Sequence, residues 1–197
     1  MSTLTRIWIA TPLWSLLLIS LGLVACHLRY SDCIRQIINN GRSLYLSITP
    51  NSTSHARSAA DRQKKEAVAF PSSADAYASS TEYFQTLINE RWIVGATPQL
   101  FADPSRHAQS TRLTSDMNIW AVVLDIDPLS GPPCPYLITS NADIRSLSDL
   151  TGTIRMTSLC GEDKAVIIMS DGSASLHDSG NISSALRQPA TNGILRP

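Results

Sequence analysis

Between Ile7 and Leu28 the chain reads IWIATPLWSLLLISLGLVACHL, with no acidic or basic residue between Arg6 and His27. Roughly twenty apolar residues are what a helix needs to cross a bilayer, so residues 1–28 are expected to form an amino-terminal tail and a single membrane-spanning segment. Pro12 lies one turn inside the run, where it starts or bends a helix rather than breaking its centre. Arg6 ahead of the run resembles a short basic leader, but Arg29, Arg35 and Arg42 behind it point the other way under the positive-inside rule, and charge alone leaves the orientation open.

After Leu28 the pattern changes. Tyr30, Cys33, Ile34, Ile37, Ile38, Gly41, Tyr45 and Ile48 fall at three- and four-residue spacing, while Asp32, Arg35, Gln36, Asn39, Asn40 and Arg42 take the other side. That spacing predicts an amphipathic helix over 29–48, continuous with the apolar one. Pro50 is expected to end it, because the residue before a proline avoids helical geometry. Residues 49–79 are rich in Ser, Ala and charge and read as a flexible connection, with at most a helical turn at 63–69. The basic cluster Arg62, Lys64 and Lys65 reads as solvated surface.

Residues 80–178 carry the signals of a small α+β domain. Ser79-Ser80-Thr81-Glu82 has the capping-box form and opens a helix that faces Tyr83, Phe84, Leu87, Ile88 and Trp92 to a core. Asp103-Pro104-Ser105 marks a loop over 100–114. Asn118 to Ile126, apolar on both faces, predicts a central strand, and Tyr136 to Thr139 a second one after the Pro-rich turn at 127–135. Ser146 to Leu150 reads as a short helical turn. Lys164–Ser170 and Ser173–His177 flank Asp171-Gly172, which predicts a hairpin with a two-residue turn. The tail, 179–197, lacks periodicity and is expected to be disordered.

The chemistry-bearing residues form no recognisable active site by spacing, and no enzymatic activity, cofactor or small-molecule substrate is expected. The net charge is zero and only 16% of the 197 residues are charged, which disfavours nucleic acid as a partner. His27, His55, His107 and His177 are scattered and no CxxC pair exists, so zinc spacing is missing. Asp125 and Asp127 make a DxD at a strand end, read as structural, with a small exported hydrolase as the remote alternative. Ser170-Asp171-Gly172 lacks the flanking glycines of a nucleophile elbow, and the acids after Cys160 would raise its thiol pKa. The sequons at Asn51 and Asn181 are short enough to arise by chance. Cys134 and Cys160 are either a disulfide, if the domain is exported, or two half-buried thiols. Leu23-Val24-Ala25-Cys26 fits a bacterial lipobox, which would make Cys26 a lipidated amino terminus.

The order of segments resembles type IV pilin-like proteins, in particular a divergent bacterial group of type II secretion pseudopilins. The stretches that carry the resemblance are NNGRSLYL at 39–46, STEYFQTL at 80–87, FADP at 101–104, NIWAVVLD at 118–125, PYLITSN at 135–141 and AVIIM at 165–169 before the Asp-Gly turn. It implies a pilin-like α+β fold: a long membrane-spanning helix, continued by its amphipathic half, packed on a small antiparallel sheet. It implies a non-enzymatic protein of a secretion or surface apparatus in the inner membrane, with its carboxy-terminal domain periplasmic and with pilin-like subunits or secretion components as partners. The chain departs from the family at its start, lacking the Gly-Phe-Thr peptidase site and the helix glutamate; its first Glu is Glu66. A retained, fixed anchor follows from that departure. The alternative is a lipoprotein acylated at Cys26 that carries a periplasmic binding module.

Overall fold

The computed structural model describes residues 3–53, 70–71, 76–93, 95–105, 112–126, 132–144, 154–186 and 193–197, with side chains in the first segment described from Leu18 to Thr49. It is an α+β fold in which one long helix packs on a five-stranded antiparallel sheet. Helix α1 runs Thr3–Thr53 without interruption, about 75 Å at 1.5 Å per residue. It therefore continues a turn beyond the end expected at Pro50. A proline already has a helical φ and forfeits one hydrogen bond, here to the carbonyl of Leu46, on the solvent-exposed side of the helix.

The second half of α1 is held against the sheet by the stripe expected from its spacing, with one addition. Ile34, Ile37, Tyr45 and Ile48 are buried, and so is Leu44. Gly41 explains how close the helix comes: a Cβ there would lie 2.6 Å from the Trp120 ring and 2.7 Å from Ile168. A glycine on the packing stripe is thus what lets the backbone approach the sheet.

The strands are β1 (Trp120–Val123), β2 (Pro135–Thr139), β3 (Lys164–Met169), β4 (Ala174–Asp178) and β5 (Ile194–Leu195), in the spatial order β4-β3-β2-β1-β5. Trp120 pairs with Thr139 and Leu137 with Ile168, which puts Trp120, Val122, Leu137 and Ile168 on the helix-facing side. Tyr136 is the extra residue of a β-bulge between Pro135 and Leu137, and its ring packs against Tyr45 and Phe70. The opposite side, with Ala121, Val123, Ile138, Ala165 and Ile167, is also buried. Phe70 thus adds a core aromatic from within the segment expected to be only a flexible connection; the helical turn at 63–69 and the basic cluster lie outside the described residues.

Helix α2 (Ser80–Asn89) begins as its capping box requires: the Ser79 hydroxyl accepts from the Glu82 backbone N–H at 3.2 Å. The Glu82 carboxylate, however, accepts from Ala78 N–H, one residue earlier than the motif specifies. Tyr83, Phe84 and Leu87 are fully buried, whereas Ile88 and Trp92 are half-buried. Asn118 ties this helix to β1, donating to the Ser80 and Thr81 hydroxyls while its oxygen accepts from Trp120 N–H.

Three expectations are corrected. The first central strand is shorter than 118–126, because Asp125 takes a left-handed φ of 53° that breaks the ladder. The β3–β4 hairpin is closed by a three-residue loop, 170–172: Gly172 N–H donates to the Met169 carbonyl and Gly172 itself sits at φ 79°. Residues 179–197 are not a featureless tail. They hold helix α3 (Ile182–Leu186), with Ile182 and Leu186 buried, and β5, which pairs with the edge of β1. Arg196 then pairs with Asp143 and its carbonyl accepts from Ser80 N–H. The helical turn at 146–150 lies outside the described residues.

Candidate functional site

The chemically distinctive region lies where α1 leaves the domain. Leu18, Ile19, Leu21, Leu23, Val24 and Leu28 are each 57–67% exposed. From Tyr30 onward the same helix turns one side into the domain, so the bare stretch from Leu18 to Leu28 and the buried one meet within about one turn. Among the described residues no helix is long and apolar enough to cross a membrane; the part of the apolar run before Leu18 lies outside the described side chains.

At that junction Cys33 of α1 is bonded to Cys160. The pairing rules out the Cys134–Cys160 disulfide, one of the two alternatives left open by the sequence. Cys134 precedes β2, where its N–H and C=O bond Ser170 at the far end of β3, and its thiol is free and half-buried. Cys160 lies ahead of the opposite end of β3. A strand of this length separates the two by about 15 Å or more, beyond the reach of any disulfide.

Cys160 is presented by a tight turn of its own. Leu159 and Glu162 exchange both backbone hydrogen bonds, and the two central residues, Cys160 and Gly161, have φ of 55° and 94°. That is the geometry of a type I′ turn, which favours glycine at its second central position and leaves Cys160 in a region few non-glycine residues occupy. The buried Asp103 stands beside the pair, with its Oδ1 3.8 Å from Cys33 Sγ and 4.0 Å from Cys160 Sγ. Its local geometry is fixed by an Asx-type bond from Ser105 N–H at 2.8 Å.

Two clefts flank this cluster. One, of roughly 790 Å³, is lined by Cys26, His27, Tyr30, Cys33, Pro104 and Cys160 among others. The second, of roughly 310 Å³, contains Asp103, Asp116, Asn118, Asn141 and Arg196. Hydrogen bonds from the Thr114 side chain and from backbone N–H groups hold the Asp116 carboxyl below the usual carboxylate range. The cluster thus contributes to both clefts, Asp103 to the second and the two cysteines to the first.

No family model, curated protein or solved structure matches the chain.

The remaining residues singled out from the sequence are dispersed. Cys26 is exposed on α1 with a free thiol. Asp125 is exposed, and Asp127 lies outside the described residues, as do His55 and His107. His177 bonds Asn181 and Ser175, and the Asn181 amide is engaged in capping interactions with Asp178. Asp171 closes the β3–β4 loop, its carboxyl lowered by hydrogen bonds from Ser173. The residues that sequence reasoning missed are Cys33 as a bonding partner and Asp103. The first was visible only as one position of an apolar stripe, and the second only as a turn residue.

Proposed function

We propose that this chain is a non-enzymatic, membrane-anchored, pilin-like protein, resembling a pseudopilin of a type II secretion system or a related bacterial surface apparatus. In this reading Ile7–Leu28 is a single-pass anchor in the inner membrane, the domain lies on the periplasmic side, and the partners are pilin-like subunits or secretion components. The observation that carries the reading is the division of α1: from Leu18 to Leu28 it is apolar and bare, and the stretch after that is sunk into an antiparallel sheet. An apolar helix face with no protein against it is what lipid or a neighbouring helix would cover. The Cys33–Cys160 bond supports the outward orientation, since such bonds persist in oxidising compartments. The test is a fusion of alkaline phosphatase after Pro197, which leaves β5 intact. An active fusion in an export-competent host is expected; an inactive one, with a cytoplasmic reporter active in its place, contradicts the orientation.

The exposed, unbonded Cys26 favours one second reading, a lipoprotein acylated there. Labelled palmitate that enters the chain and is lost in Cys26→Ser supports that alternative.

A further inference from the structure

We propose that Cys33, Cys160 and Asp103 form a redox-gated site for a thiophilic divalent cation, closed when the two cysteines are bonded and opened when they are reduced. The inference stands independently of the pilin-like reading.

The three side chains offer two sulfurs and one carboxylate oxygen within 4.8 Å of one another. Tetrahedral zinc, with Zn–S of about 2.3 Å and Zn–O of about 2.0 Å, separates sulfur from oxygen by about 3.5 Å. The Asp103 oxygen already lies 3.8 and 4.0 Å from the two sulfurs. Only the sulfurs need to part, to about 3.8 Å, for the three ligands to occupy three corners of that tetrahedron. The fourth corner would be taken by water entering from the cleft that Cys33 and Cys160 line.

Electrostatics supplies the drive. In the bonded state the sulfurs carry no charge and offer a cation little. In the reduced state the two thiols can give up their protons to a bound cation, and two thiolates beside the Asp103 carboxylate then supply the negative charge that holds a divalent ion. The redox step balances with a dithiol as reductant: its two thiols become a disulfide as Cys33 and Cys160 become thiols. Entry of the cation then releases the two thiol protons to solvent. The preference for soft nitrogen- and sulfur-seeking metals over calcium or magnesium follows from the two thiolates.

The test uses the full chain in detergent carrying Cys26→Ser and Cys134→Ser, so that only the proposed pair can bind. After reduction by a metal-free phosphine, addition of cobalt(II) is expected to give a thiolate-to-metal charge-transfer band that saturates at one ion per chain. The oxidised protein should give none. Cys33→Ser should abolish the band, and Asp103→Asn should weaken cobalt binding by about tenfold or more, with near-ultraviolet circular dichroism showing that the aromatic core is intact. Absence of the band in the reduced protein, its persistence in Cys33→Ser, or wild-type affinity in folded Asp103→Asn would overturn the proposal.

Discussion

At Gly41 a single missing methyl group sets the distance between helix and sheet. Gly41→Ala would place a Cβ 2.6 Å from the Trp120 ring and 2.7 Å from Ile168. Overpacking of that kind costs about 1–3 kcal/mol, against a gain of up to about 1 kcal/mol in helix propensity. Net destabilisation is therefore expected in urea titrations followed by near-ultraviolet circular dichroism. A second residue-scale prediction concerns the hydrogen-bonded phenols Tyr83 and Tyr136, 2.9 Å apart in the core. Burial, the largest cause for each, pushes both well above the ordinary phenol value of 10.0. The unfolded chain ionises these phenols near pH 10 while the folded one holds its protons. Stability should thus be level below that pH and fall above it by about 1.4 kcal/mol per pH unit for each phenol. Base titration of unfolding checks this, and Tyr136→Phe should make the decline shallower. The glycine's place on the stripe was legible in the sequence; its contact with Trp120 was not, because spacing along one helix says nothing about which strand lies across from it.

Among the elements, those with a period or a turn signal of their own were legible, and the two-residue strand and the short carboxy-terminal helix were not. The amphipathic half of α1, the capped helix α2 and the Asp-Gly hairpin each announce themselves through spacing or turn chemistry. Strand β5 has two residues, too few to show alternation, and it is stabilised by pairing with β1 rather than by any pattern of its own. Removing residues 193–197 should accordingly expose the β1 edge, and self-association is the expected result by size-exclusion chromatography, with a monomer-like profile contradicting it. The disulfide was illegible for a related reason: four cysteines allow several pairings, and the choice is made by which turn meets which helix face. Cys33→Ser unlocks a bond that spans 127 residues. It should lower stability by about 2–5 kcal/mol, read as an earlier urea midpoint than in Cys134→Ser.

In the molecule as a whole, one helix performs two tasks along one axis. Its carboxy-terminal half supplies a wall of the core and a disulfide; the bare stretch from Leu18 to Leu28 has no contact of that kind to satisfy its apolar side chains. The α+β class, one long helix on an antiparallel sheet, could be read from the sequence because the change from continuous apolarity to a three-to-four pattern occurs at a definite place, Leu28. The partners could not, because surfaces that recognise other proteins carry no periodicity. The anchor reading requires that the helix survive whole in the mature protein, which the lipobox-like LVAC at 23–26 puts at issue. The most direct test is the mass of the mature chain extracted from membranes. A species that retains Ile7–Leu28 and carries no acyl chains is expected. A chain that begins at an acylated Cys26, or one recovered from the soluble fraction without the apolar run, would contradict the account.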